Sequence, residues 1–324
     1  MYANGYAITD LVLTINKTGA TYYSDFSPFY VDRSLIDKGY LDIRLSGFSS
    51  GFYGWTGGSG AGSIIMVNNT LPNTATHQAS LTVGMNNNNS GSYSTIAGGV
   101  SNAITFVPGA FIGGGQQNNV VGDVSAIVGG RNNSASGFYG FIGGGQDNTN
   151  SGLYHSVIVG GFRNSANNNK IFIGGGSYNY ILNPYSSIVG GKSNYVYGTS
   201  AFIGGGQTNK NGGYCSVIGG GIDNLLNGSQ SVIVGGQKNS ATTNHTSILG
   251  GAHNLANGYF SIIGGGSYNS INTTYSVIGG GKNNLVNKKL SSILGGYSNK
   301  NYGPYSVIGG GYKNKNSSYY SVIA

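Results

Sequence analysis

No glutamate occurs anywhere in the 324 residues, and charged residues of every kind make up only 7% of the chain. Average proteins carry about 25%. A chain so poor in charge has little self-repulsion to hold it open, so the solvated, charge-driven kind of disorder is excluded. The single cysteine, Cys215, excludes an intrachain disulfide framework. With five prolines and no glycine at every third position, a collagen helix is excluded as well. No apolar run approaches the ~18 residues of a membrane-spanning helix, so no membrane insertion is expected. Met1-Tyr2-Ala3-Asn4-Gly5 has neither the basic nor the apolar stretch of a secretory signal. What the chain does have is glycine, 61 residues of it, and order in such a chain has to come from repetition.

An isoleucine followed two and three residues later by Gly-Gly recurs fifteen times from Ile96 to Ile308, through Ile112, Ile127, Ile142, Ile158 and Ile173, and Ile323 makes a sixteenth position. Thirteen of the fifteen spacings are 15 residues and two are 16. Six residues after each of the first fifteen comes an asparagine, including Asn118, Asn133, Asn148, Asn164 and Asn179. Leu81 with Asn87 reads as a degenerate earlier copy, which places a repeat shaft at residues 81–324 and a separate unit at 1–80.

A 15-residue unit is too short for a helical hairpin and suits one solenoid coil of two short strands and two turns. The β-branched Ile, with Val or Phe beside it, favours the first strand. Gly-Gly ends that strand, since glycine takes positive φ at no steric cost. Eight residues past the Ile the position is apolar in eleven of fifteen copies, so a second strand alternates Asn and apolar residues inward. Stacked coils bring equivalent residues about 4.8 Å apart. An interior ladder of asparagines is then expected to bond its neighbours or the turn carbonyls. Ligand binding is the alternative role for these amides, and their presence in every copy favours the structural one.

Residues one before and one after the Ile point opposite to it, and in a lone solenoid that face should be polar. Here it pairs Phe111 with Gly113, Phe141 with Gly143, Phe172 with Gly174, Phe202 with Gly204, Val217 with Gly219 and Val277 with Gly279. Where the first member is small, as at Ser187, the second is large, as at Val189. Such volume matching belongs to a confined, close-packed space. It predicts burial against identical copies, and a narrow seam lined by glycine suits a threefold axis.

Ser-Val-Ile-Gly-Gly-Gly-x-x-Asn, as in residues 216–224, resembles the head repeats of YadA-like trimeric autotransporter adhesins, which occur also in fibres of bacteriophages and other viruses. The resemblance covers residues from about 81 onward. It implies an all-β fold, a left-handed parallel β-roll in an intertwined homotrimer. The chain lacks a secretion signal, a heptad stalk and a C-terminal membrane-anchor segment, which favours a virion-surface fibre over a bacterial cell-surface adhesin head.

Residues 1–80 differ in composition. They hold five of the eight acidic residues and a wealth of aromatics, and the stretches 7–15 and 40–45 read as strands. A small β-rich unit is expected, mounting the fibre on a virion protein or capping the first coil. Residues 57–63, mostly Gly and Ser, read as a flexible link.

Chemistry is sparse. The shaft's carboxylates, Asp123, Asp147 and Asp223, fall in different coils, so no glycosidase-type pair is expected. His155 and His245 are six coils apart, and Cys215 stands alone. The Gly-Gly-Gly runs lack the Lys-Ser/Thr of a phosphate loop. Neither enzyme activity nor a cofactor, metal or nucleic-acid partner is expected. Turn tyrosines such as Tyr139, Tyr154, Tyr275 and Tyr320 suggest a surface for host glycans or polymers. The basic excess near the end, including Lys282, Lys300 and Lys315, suits anionic surfaces.

Overall fold

The computed structural model describes residues 13–16, 19–22, 54–59, 61–67 and 73–324. Leu13–Asn16 and Gly19–Tyr22 form an antiparallel pair, overlapping the end of the expected strand at 7–15, while the expected strand at 40–45 lies outside the described residues. The described residues from Gly54 onward belong to a second compact unit, which beyond an antiparallel pair at its start is a parallel β-solenoid of about seventeen turns. No helix occurs among the described residues.

Each coil contributes one two-residue strand to each of two parallel sheets. The first sheet runs from Ile64–Val67 through Leu81–Thr82, Thr95–Ile96 and Phe111–Ile112 to Val322–Ile323. The second holds seventeen strands, from Thr74–Ala75 through Asn119–Val120 to Lys315–Asn316. Between them a third ladder of single bridges runs through Val100, Gln116 and Arg131 to Tyr312. Register follows the repeat: Ile112 pairs with Ile127 and Ile127 with Ile142. A slip of one residue would turn every Ile outward, so burial of that face fixes the stacking.

The interior is a set of columns. Ile112, Ile127, Ile142, Ile158 and Ile173 have no exposed surface, and opposite them stand Val120, Ala135, Ala166 and Ile181. The serine two positions before the Ile is buried too. Ser125 Oγ donates to the Gly137 carbonyl of the next coil at 2.5 Å, and Ser186 Oγ to that of Gly198 at 2.9 Å.

Parallel stacking begins upstream of the repeat legible in the sequence. Asn73 is already a ladder asparagine, since its Oδ1 accepts the Asn87 N–H at 2.9 Å and its Nδ2 donates to the Gly84 carbonyl at 2.7 Å. In that early coil the buried position belongs to Thr82, paired with Ile96, and Leu81 points outward. The Thr82 hydroxyl is satisfied by the Thr74 carbonyl at 3.1 Å. The glycine-rich stretch expected to be a flexible link instead joins Gly54–Gly57 to Ile64–Val67, which pair antiparallel at the head of the first sheet. Gly58 N–H bonds the Ser63 carbonyl at 3.0 Å, and Ser63 is buried.

Two corners of each coil lie in the left-handed region, and apart from Gly109 in the coil before Ile112 the residues of the Ile96–Ile308 array that occupy them are not glycine. They lie five residues after the Ile and three before the next, as at Gln117 (φ 56°) and Val124 (φ 53°). Most backbone N–H groups donate to the following coil, but at these corners the direction reverses. Gln117 N–H reaches back to the Val100 carbonyl at 3.0 Å and Val124 N–H to that of Pro108 at 2.9 Å. The backward bond offsets part of a conformational cost of about 1–2 kcal/mol per residue.

Candidate binding surfaces

The asparagine ladder is closed to ligands by its own bonding. Asn118 Nδ2 donates to the Gly114 carbonyl of its own coil at 3.0 Å and to the Gly130 carbonyl of the next at 2.9 Å, and its Oδ1 accepts the Asn133 N–H at 3.0 Å. Asn133, Asn148, Asn164 and Asn179 repeat this pattern, each at most 1% exposed. Every amide therefore binds carbonyls that the turn would otherwise leave orphaned.

Five coils carry Asn where the second strand is otherwise apolar: Asn89, Asn150, Asn211, Asn301 and Asn316. In Asn211 the Oδ1 accepts the Ser216 Oγ at 2.5 Å and the Gly213 N–H at 3.3 Å, forming a local turn with the glycine two residues on. Asn150 lies in a 16-residue coil where Ser156 Oγ turns to the Asn168 carbonyl, and its Oδ1 is buried without a partner. The Asn-x-Gly spacing was the sequence signal for this turn.

Outside the first sheet lies the apolar stripe. Phe111, Phe141, Phe172, Phe202 and Val217 remain 36–39% exposed, and Val277 is half-buried. The Phe rings lean over the glycines beside them. A Cβ added at Gly143 would stand 3.4 Å from Phe141 Cε1, and one at Gly174 3.3 Å from Phe172 Cε1. Part of the volume matching is therefore a contact inside one strand. That Cβ at Gly143 would also meet the Val159 carbonyl oxygen of the next coil at 2.3 Å.

Next to the stripe run two glycine columns with different causes. At Gly115 (φ 88°) a Cβ would collide with the Gly130 carbonyl oxygen at 2.0 Å and the Asn118 amide at 2.7 Å. At Gly114, one residue earlier, a Cβ would meet nothing within 4 Å, and the same holds in fourteen of the fifteen coils. Only Gly144, Gly175 and Gly265 of that column have φ values of 155–158°, at the edge of the region other residues avoid. At the other twelve positions of this column the chain's own atoms give no reason for glycine.

The corner aromatics stack into columns along the axis. His245, Phe260 and Tyr275 follow one another with ring centroids 4.6 and 5.1 Å apart, Tyr139 lies on His155 at 4.9 Å, and Tyr305 on Tyr320 at 5.1 Å. At the other corner His253 lies on Tyr268 at 4.6 Å. His245 and His253 thus occupy different columns, each engaged with an aromatic ring. Each stacked pair covers one face of each ring, and Phe260 has a ring on both faces, so stacking takes up part of the aromatic surface on which a sugar would lie. Nothing in the sequence read singly shows this, although the 15-residue spacing of the rings carried it.

Among the described residues no group of three or more His, Cys or Asp forms a metal-binding cluster. Asp147 is ringed by Asn132 Nδ2 at 2.6 Å, Gln146 and Arg163, whose Nε lies 3.5 Å away. The Asn132 hydrogen bond first, then Gln146 and Arg163, hold its carboxyl below the ordinary value against some burial penalty. Tyr197 lies across Gly212, where burial, with Tyr195 beside it, raises its phenol. Cys215 is exposed at a left-handed corner. Compared with known proteins, the chain matches no family model and no curated sequence.

Proposed function

We propose that the protein is a non-enzymatic fibre of a virion surface, a homotrimer whose solenoids pack through the outer face of the first sheet. In this reading residues 1–80 include the mount on the virion, and the remaining faces serve attachment to a host surface. The left-handed winding that the sequence resemblance implies belongs to the same proposal.

The glycine column at Gly114 carries the reading. A lone chain has room for a side chain at each of these positions and uses none. Strict exclusion of side chains from open space is what a neighbouring molecule would impose. The apolar stripe beside that column supports the same reading, because a continuous exposed ribbon of Phe, Val, Ile and Leu on a soluble chain marks an interaction surface. Seventeen coils at the strand spacing make a shaft of roughly 80 Å, and a shaft bearing few titratable groups suits reach better than catalysis.

Sedimentation equilibrium on the full chain tests it. The expected result is a single species of three chains that persists on dilution. A monodisperse monomer would remove the role assigned to the stripe and to the glycine column together.

A further inference from the structure

Charge on this surface is scarce, and in the later coils it has one sign. Asp223 is the last acidic side chain, and seven lysines follow it. Four of them gather around one corner of neighbouring coils. Lys300 and Lys315 are direct register partners on adjacent parallel strands, so their side chains leave the sheet about 4.8 Å apart. Lys313 lies two residues before Lys315, and Lys282 stands on the bridge ladder that continues through Tyr297 and Tyr312. All four lysines are exposed. The ion pair among the described residues is Arg163 with Asp147, far from this corner. Like charges directly opposite on neighbouring strands weaken a sheet, and among the described residues no Asp or Glu side chain pairs with these lysines.

The groups between the lysines are hydroxyls and amides. Lys313 Nζ sits 4.8 Å from the Tyr312 ring centroid and Lys315 Nζ 5.8 Å from that of Tyr302. Tyr297 and Tyr312 stack at 5.4 Å. We propose that this corner binds an acidic polysaccharide lying along the fibre axis. Its carboxylate or sulfate groups pair with the lysine ladder, and its hydroxyls bond the phenols, Ser298 and Asn283 between them. A nucleic acid fits less well. Bases need free aromatic faces to stack on, whereas here Tyr297 and Tyr312 stack on each other and Lys313 and Lys315 lie over Tyr312 and Tyr302. Arginine, the usual bidentate reader of phosphate, is absent from these coils.

The inference takes up the adhesive half of the fibre reading and names the ligand class; it does not depend on the number of chains. Binding of the full chain to immobilised polygalacturonate, dextran sulfate and neutral dextran tests it. Tight binding to one or both acidic polymers and none to neutral dextran is expected, and the better of the two identifies the anionic group. The variant Lys282→Gln/Lys300→Gln/Lys313→Gln/Lys315→Gln should bind about tenfold or more weakly and show a shallower salt dependence. Lys300→Arg with Lys315→Arg, which keeps the charge, should retain binding, as should a control that removes four charges elsewhere, at Lys170, Lys192, Lys210 and Lys238. Equal loss in that control, failure of the native chain to prefer acidic polymer at low salt, or stronger competition by a thymidine oligonucleotide would overturn the proposal. Sedimentation of the same samples separates the two readings: a trimer indifferent to acidic polymer sinks this inference alone.

Discussion

Gly115 and Gly114 are neighbours in sequence, each recurs in every coil from Ile96 to Ile308, and the reasons for the two columns differ. Around Gly115 the chain builds its own interior: a carbonyl oxygen and an asparagine amide occupy the place of a side chain. Around Gly114 the chain leaves open space. One column is the wall of an interior made by a single chain. The other has the composition of an interior wall and stands on an outer face, beside an apolar stripe. Strict residue choice on an outer face, with open space left by the chain itself, is what the proposed packing between chains would produce.

The largest effect is expected inside the single chain. Asn209 Nδ2 donates to the Gly205 carbonyl at 3.0 Å and the Gly221 carbonyl at 2.8 Å, and its Oδ1 accepts the Asn224 N–H at 3.0 Å. Asn209→Ala leaves those groups orphaned in a dry interior, at a cost of about 1–3 kcal/mol for each group left unpaired. The loss should be local, because a solenoid coil contacts only its neighbours. Hydrogen exchange should speed up sharply at the Asn209 and Asn224 coils while coils near Ile112 keep their protection. Unchanged protection around Asn224 would mean that the ladder contributes little.

The outer column should respond differently. Gly205 has open space at its Cβ, whereas Gly206 (φ 86°) would bring a Cβ to 2.1 Å from the Gly221 carbonyl oxygen. Gly206→Ala should disturb the coil in any oligomeric state. Gly205→Val should leave the coil's circular dichroism intact and weaken association, with overpacking costing about 1–3 kcal/mol per site. Sedimentation equilibrium beside circular dichroism separates the two. If Gly205→Val associates like the native chain, the open column has some other cause.

The same contrast explains what the sequence disclosed. The Ile and Asn columns were legible because the interior demands one residue type at one position in nearly every coil. The start of the array was not, since its early coil is a residue short and places Thr82 where Ile would stand. The corners were invisible for the opposite reason. Gln117, Tyr139, His155, Lys170 and Leu290 share a left-handed backbone and no side-chain chemistry, so what repeats there is a conformation. The volume matching of Phe141 with Gly143 was read as a contact between chains, and the geometry adds one inside a single strand. Asn211 interrupted the apolar column because its amide closes a turn through local hydrogen bonds, and Asn150 Nδ2 donates to the Ser156 carbonyl at 2.6 Å, which an alternation of apolar and polar residues does not register.

A smaller effect, of favourable sign, is expected at a corner. Val124 holds φ 53° and is half exposed, 51% by area. A β-branched side chain is badly suited to that region, which Asn visits far more readily. Val124→Asn keeps the N–H that bonds the Pro108 carbonyl at 2.9 Å. It should raise stability by about 0.5–1 kcal/mol, seen as a higher melting temperature with assembly unchanged. A lower melting temperature would mean that the Val side chain is covered by something beyond its own chain, extending the packed surface to this corner.

The smallest effect belongs to Asp147, on the polar side of the comparison. Its carboxyl is held below the ordinary 3.8, foremost by the Asn132 amide. A carboxylate with a depressed folded-state pKa contributes stability that is fully present above its unfolded value and lost as pH falls through the folded one. Asp147→Asn should therefore lower the melting temperature slightly at neutral pH and leave it unchanged once the native carboxyl is itself protonated, below the 3.8 of the free group. Asn tolerates the left-handed corner at φ 56° as well as Asp does, so the substitution removes charge without straining the backbone. Half-buried at the surface and paired with an exposed Arg163, the group is worth little, and added salt should shrink the neutral-pH difference further. Melts of both proteins across the acid range decide it. A difference that persists unchanged into acid would assign the effect to shape and hydrogen-bond geometry, and the corner would then owe nothing to its charge.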